Sequence, residues 1–259
     1  MAETAELLES RPSAGVLVLT LNRPEKRNAL ATPLLGAIAA AVSAGAADST
    51  IGCIVLTGGP EIFAAGADIN ELAVRTPVSN ETEARAQHWA SVRACPKPMI
   101  AAVEGFCLGG GLELALCADI IVAGESARFG TPEINLGIFP GSGGTQWLPR
   151  IVGKALAMKM VLSGKPITAQ EALASGLVAE LAPSGQALPA ALSLAEAIAA
   201  KSPLALRLAK ETVLRAYTMG LTDGLAFERR AFAVTLASED KAEGMAAFLE
   251  KRKPSFKGR

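Results

Sequence analysis

The chain has 259 residues, half of them hydrophobic, with 25 Lys+Arg against 25 Asp+Glu and a formal net charge of zero. Length and apolar content suit one large domain, or one domain with an appended module, built on a sizeable core. Balanced charge without a long Lys/Arg run excludes a nucleic-acid arm, and the locally basic end from Lys251 to Arg259 reads as a solvated tail.

In chain order, Glu3, Glu6 and Glu9 replace the basic-then-apolar pattern of a signal or transit peptide. Val16 to Leu21 predicts a strand closed by Asn22-Arg23-Pro24. Pro33 to Ala46 predicts an alanine-rich helix, with Thr32 placed to cap it and Pro33 at its first position. Cys53 to Thr57 is a short buried strand. The loop Phe63 to Asp68 follows, then a polar helical stretch from Glu71 to Val92. Met99 to Val103 is the next strand, the loop Gly105–Gly109 leads into a helix from Gly110 to Cys117, and Ile120 to Ala123 is a strand again. Alternating strands and helices predict an α/β core with mostly parallel pairing. Met99 to Gly124 is apolar enough to imitate a membrane span, but Glu104, Glu113 and Asp119 inside it are costly in lipid.

From Gly143 onward the text is helical, apart from a strand-like Leu177 to Leu181. The division is therefore 1–202 for the core and 203–259 for a helical C-terminal module. In that module Leu221, Leu225, Phe232, Leu236, Met245, Phe248 and Leu249 recur at near-helical spacing, which suits either packing onto the core or an oligomer interface. Arg207, Lys210 and Arg215 read as a solvated helix face. Cys53, Cys95, Cys107 and Cys117 show no CxxC spacing and lie in apolar surroundings. They read as reduced buried thiols of a cytoplasmic protein, and no metal-ligand cluster stands out.

Acid–base chemistry has few candidates. His88 is the only histidine and lies far from any glycine-rich loop. Glu113, after Gly109-Gly110-Gly111, and Glu133, after Gly130-Thr131-Pro132, both sit in glycine-rich surroundings. Two nearby carboxyls can divide acid and base roles, because burial and mutual repulsion push their pKa values apart. Gly109-Gly110-Gly111 before a helix exposes backbone N–H groups to an anion. It is neither a P-loop nor a G-x-G-x-x-G fingerprint. The loop Ala64-Ala65-Gly66-Ala67-Asp68 also precedes a helix, so the two loops could each give one N–H to a single oxygen. Asp68 is also a good helix cap. Ser142 lacks the G-x-S-x-G context of a nucleophile.

Three ordered stretches, Ala64 to Ile69, Ala102 to Ala115 and Phe129 to Gln146, resemble the crotonase superfamily, and within it the enoyl-CoA hydratases. The resemblance extends from Leu21 to Pro254. It implies a spiral of ββα units with a helical C-terminal trimerisation region, assembled as a homo-trimer or homo-hexamer. It also implies an acyl-CoA thioester substrate, with coenzyme A part of that substrate and no separate cofactor. Carried over residue by residue, it implies catalytic roles for Glu113 and Glu133 and an oxyanion hole from the N–H groups of Ala67 and Gly110. Gly141 would help hold the catalytic water. Ala64, Ala65, Gly66, Ala67 and Asp68 would contact CoA, as would Phe248 and Lys251 from a neighbouring subunit. Asn70, Thr131 and Trp147 depart from residues common in the family and bear on substrate choice. Other activities open to the superfamily are double-bond isomerisation, hydration of one dedicated catabolic acyl-CoA, and RNA binding. The last is disfavoured by balanced charge and a single tyrosine.

Overall fold

The computed structural model describes residues 5–82 and 84–259, so Glu3 lies outside the described residues. Leu7–Ser10 (β1) pairs antiparallel with Val16–Leu21 (β2). A 3₁₀ turn at Pro24–Lys26 and the helix Thr32–Ala47 (α1) lead to Cys53–Thr57 (β3), parallel to β2. The polar stretch is three short helices rather than one: Ile69–Val74 (α2), Pro77–Thr82 (α3) and Arg85–Arg93 (α4). Pro77 disfavours helical backbone at the residue before it and so divides α2 from α3.

Met99–Val103 (β4) is followed within the expected loop by a further strand, Phe106–Leu108 (β5). Next come Gly110–Ala115 (α5), Ile120–Gly124 (β6), Arg128–Gly130 (β7) and a 3₁₀ helix at Pro132–Leu136. The remainder is Gly144–Ile151 (α6), Gly153–Ser163 (α7), Ile167–Thr168 (β8), Ala169–Ala174 (α8), Glu180–Ala182 (β9), Ala187–Ala199 (α9), Pro203–Arg215 (α10), Leu221–Leu236 (α11) and Glu239–Leu249 (α12). The final strand therefore begins later than the apolar run that suggested it, while Leu177 and Val178 are buried ahead of it.

One sheet runs β1-β2-β3-β4-β6-β9, parallel throughout except for β1; a second, smaller sheet runs β5-β7-β8. All of β3 and β4 is buried, as expected of parallel strands covered on both faces. Alternation sends Leu17, Leu19, Ile54 and Leu56 to a core shared with Leu34, Leu35, Ile38 and Val42 of α1. It sends Val16, Val18, Val55, Ile100 and Val122 to the opposite face, where Ala191 and Ala195 let α9 lie close. Each large aliphatic side chain so buried contributes roughly 1.5–3 kcal/mol.

Two local expectations need correction. Ala31, not Thr32, is the N-cap of α1 and offers no side-chain bond. Thr32 lies inside the first turn, and its N–H and hydroxyl donate to Glu71 Oε2 at 2.9 and 2.8 Å. A carboxylate from α2 thus caps α1, where the helix N-terminus favours negative charge. Lys210 is not on a solvated face: its ammonium meets Asp119 Oδ2 at 2.8 Å and donates to the Lys97 carbonyl at 2.8 Å, tying α10 to the ends of the sheet strands.

Asp68 caps α2 as expected, accepting from the Asn70 N–H at 3.0 Å. The cysteines are unpaired, three buried and Cys117 partly so. The seven apolar residues of the C-terminal module are all exposed on the single chain, Leu221, Phe248 and Leu249 by about four-fifths, so they do not pack onto its core. No helix among the described residues is long and apolar enough to cross a membrane.

Candidate active site

The site is built where β5 turns into α5. Gly109 ends that turn at φ 52°, ψ −126°, a conformation a residue with a Cβ rarely adopts. Two residues on, Gly111 lies so close to the Ala64 loop that a Cβ there would stand 2.5 Å from the Ala64 carbonyl oxygen. These contacts press the two glycine-rich loops together.

The hydrogen-bond pattern orients Ala67. Leu30 donates to the Gly66 carbonyl at 2.8 Å and accepts from the Asp68 N–H at 3.4 Å. That parallel bridge uses the residues flanking Ala67 and leaves the Ala67 N–H turned to the other side. There it meets Gly110, the first residue of α5: a Cβ on Gly110 would lie 3.4 Å from the Ala67 nitrogen. The Gly110 N–H is one of the helix's unpaired N-terminal donors. Neither N–H has a hydrogen-bond acceptor among the described residues.

Glu113 follows on α5, and its side chain is buried. Its Oε1 accepts from the Ser142 N–H at 2.6 Å and the Gly144 N–H at 2.9 Å. Burial pushes the Glu113 pKa up, opposed by those two N–H groups and then by the charges of Arg85 and Arg93. Glu133 arrives from β7 through the 3₁₀ turn at Pro132–Leu136. The Gly109 N–H donates to the Gly130 carbonyl at 2.8 Å, fixing the end of β7 against the start of α5. A Cβ on Gly109 would lie 2.9 Å from Glu133 Oε1. Glu133 Oε2 is buried with no hydrogen-bond partner among the described residues. Burial raises the Glu133 pKa to about 7, its own backbone N–H opposes this, and the Glu113 charge adds to it. The two carboxyls therefore share one site. One is anchored by amides; the other has a free oxygen and is nearly balanced between acid and base at neutral pH.

The remaining candidates divide. Ala64 and Ala67 line the junction, and Ala65 is held by its N–H donating to the Arg27 carbonyl at 3.0 Å. Asp68 is occupied structurally, with Oδ2 3.4 Å from Arg23 Nη1. Gly141 is exposed, and it is its neighbours Ser142 and Gly144 whose amides reach Glu113. Sequence reading does not find those two donors, although Gly141-Ser142-Gly143-Gly144 opening α6 has the same loop-to-helix form as the glycine triplet. Phe248 and Lys251 lie exposed at the end of α12, with no hydrogen bond or ion pair to this site among the described residues. His88 is remote in role, its ring packed on Gly36 of α1. No group of three or more His, Cys, Asp or Glu that could hold a metal is present among the described residues.

Beyond the turn that carries Ser142 lies a cavity of about 480 Å³, walled by Trp89, Trp147 and Tyr217 among others. Trp147 packs edge-to-face on Tyr217, ring centroids 5.8 Å apart.

An α/β fold that brings two glycine-rich loops together beside paired carboxyls defines the class, and comparison with known proteins agrees. The family model described as Enoyl-CoA hydratase/isomerase matches residues 11–259. The 2,3-dehydroadipyl-CoA hydratase of Escherichia coli K12 is 52% identical over 98% of this chain and 100% of its own. A probable enoyl-CoA hydratase of Rhizobium meliloti is 47% identical over 98% of both chains. A crystal structure described as an enoyl-CoA hydratase subunit I from Geobacillus kaustophilus superposes with a TM-score of 0.94, at 43% identity, covering 100% of each chain. The chain belongs to the enoyl-CoA hydratase/isomerase family and has the crotonase fold.

Proposed function

We propose that the protein is a 2-enoyl-CoA hydratase, adding water across the 2,3 double bond of an acyl-CoA thioester to give the 3-hydroxyacyl-CoA. The observation that carries this is the carboxyl pair: Glu113 anchored by two amides, and Glu133 raised to about 7 with an oxygen left unpartnered.

The thioester oxygen sits between the N–H groups of Ala67 and Gly110. Charge develops there as water attacks, so two fixed donors stabilise the enolate-like transition state more than the ground state. Glu113, ionised, accepts a proton from the water through the oxygen its amides leave free. Glu133, protonated, delivers a proton to the α-carbon. After addition the proton has moved from one carboxyl to the other, and product release returns the pair to its starting state by exchange with solvent. Ser142 and Gly144 hold Glu113 in place. Gly141 contributes to holding the water, and Ala64 to Asp68 line the CoA path. The thioester is the substrate itself, and the chemistry draws on no separate cofactor.

Assembly as a trimer or hexamer places Phe248 and Lys251 of one chain beside the CoA of another; the exposed apolar face of α11 and α12 supports it. We place the enzyme in the cytoplasm, in acyl-CoA catabolism. A second reading, a hydratase dedicated to one catabolic acyl-CoA, is favoured by the relative named for 2,3-dehydroadipyl-CoA. A panel of 2-enoyl-CoA thioesters tests both: loss of the conjugated enoyl absorbance with a gain of one water mass marks hydration. Migration of the double bond without a change in mass would overturn the assignment in favour of an isomerase.

A further inference from the structure

Two arginines line the cavity beside Glu113 and form no ion pair among the described residues. We propose that Arg93 and Arg150 form a subsite for a carboxylate at the far end of the acyl chain, so that the protein takes 2-enoyl thioesters of dicarboxylic acids. This rests on the hydratase reading above.

Arg93 Nη1 donates to the Ser142 carbonyl at 3.0 Å, and the N–H of that same Ser142 is 2.6 Å from Glu113 Oε1. The Arg93 guanidinium is thus one residue's width from the carboxylate that handles the water. Arg150 Nη1 donates to the Gln146 carbonyl at 2.7 Å, one turn back on α6. Both side chains line the same cavity of about 480 Å³, and no Asp or Glu lines it with them. Neither arginine is in an ion pair among the described residues, whereas Arg11, Arg23, Arg215, Arg252 and Arg259 each reach a carboxylate.

Apart from these backbone carbonyls, Arg93 is drawn on by the Cys117 thiol and, without forming an ion pair, by the Glu113 charge. Most of their donors therefore stay free, and the planar fork they form matches a carboxylate. Trp89, Trp147 and Tyr217 supply apolar wall for the methylenes between the double bond and that carboxylate. A plain alkyl tail in the same space would displace water from two cations and offer them nothing in return. A dicarboxylic tail satisfies both the walls and the charges.

The test compares two six-carbon 2-enoyl-CoA thioesters, one ending in a carboxylate and one in a methyl group, and reads the ratio of their kcat/KM values. Because both carry CoA and use the same carboxyl pair, any general effect of Arg93 on Glu113 cancels in the ratio. The wild-type protein is expected to favour the carboxylate-ended substrate by at least about tenfold. Arg93→Gln and Arg150→Gln are each expected to lower the ratio roughly 10- to 100-fold, and Arg150→Lys to keep part of it. No wild-type preference, or equal losses on both substrates, overturns the subsite; equal losses would instead indicate contact with CoA. If neither substrate gains water, the hydratase reading fails separately. Calorimetric binding of the two saturated thioesters then still decides the subsite, which requires tighter binding of the carboxylate-ended one and loss of that difference in both glutamine variants.

Discussion

Gly109 and Glu133 are fitted to one another: a methyl group on the Gly109 Cα would stand 2.9 Å from Glu133 Oε1. The backbone at Gly109, φ 52° and ψ −126°, is also one that alanine resists. Gly109→Ala therefore both strains the turn and displaces the Glu133 carboxyl, the proposed acid. We expect a stability loss of roughly 1–3 kcal/mol by urea unfolding, and a fall in turnover of about 100-fold or more in protein still folded. Wild-type turnover in that folded protein would show that the glycine is needed only for the turn.

Glu113→Gln and Glu133→Gln each remove a proposed proton carrier while keeping shape. In the Glu113→Gln variant the new amide oxygen can still accept from Ser142 and Gly144, so the loop should stay in place. Each change is expected to lower kcat by about 10²–10⁴, with binding of a saturated acyl-CoA kept within a few-fold. Rapid-mixing assays on a 2-enoyl-CoA and calorimetry on the saturated thioester separate the two effects. Wild-type turnover in both variants would remove the carboxyls from the mechanism.

The pH dependence follows from where Glu133 titrates. In the folded protein it holds its proton up to about pH 7, whereas a free glutamate releases it near 4.5. Between those values the folded state binds more protons, so its stability falls as pH rises; the loss is complete above about 7 and absent below 4.5. Glu133→Gln removes this cost, so its Tm relative to wild type should climb by roughly 2–5 °C between pH 5 and pH 8. The same titration acts on catalysis. Turnover requires one proton on the pair, so kcat/KM should decline above about pH 7. Hydration takes up no net proton, so dehydration of the 3-hydroxyacyl-CoA must show the same profile. A profile that stays flat far into the alkaline range would place the acid elsewhere.

How much of this is readable in the sequence depends on whether an interaction is local. The apolar strand Val16–Leu21, the glycine turn before Glu113 and the Asp68 cap are dictated by neighbours a few residues away, and the structure contains them. Glu71 capping α1 crosses 39 positions, and Lys210 reaching Asp119 crosses a larger distance still. No spacing rule announces such pairs, so the sequence suggests for Thr32 and Lys210 only the local roles of their neighbourhoods. The site shows the same limit: Glu113 and Glu133 stand out by context, but the amides of Ser142 and Gly144 that hold Glu113 come from 29 and 31 residues further on.

That tertiary cap is itself testable. Glu71 takes the N–H and hydroxyl of Thr32 at 2.9 and 2.8 Å, and α1 is the helix that covers one face of the main sheet. Glu71→Ala leaves that donor pair to water and removes negative charge from the helix start. Denaturant unfolding should show a loss of about 1–2 kcal/mol, the range for lost caps. Glu71→Gln should lose less, since its oxygen can still accept. Equal stability of all three proteins would mean that the α1 terminus is capped by solvent just as well.

The exposed face of the C-terminal helices makes the last prediction. Leu221, Phe248 and Leu249 are each about four-fifths exposed on the single chain, and Phe232 and Met245 more than half. So much clustered apolar surface is unusual for a chain that works alone. If a second copy covers it, a charge placed there must be buried without a partner on assembly. Leu249→Glu should then shift the protein from trimer or hexamer to single chains in sedimentation velocity at micromolar concentration, with far-ultraviolet helicity kept. Because Phe248 and Lys251 are expected to reach a neighbour's CoA, the same variant should raise KM for acyl-CoA more than it lowers kcat. A wild-type protein that sediments as a single chain would remove both the interface and that contribution to the substrate site.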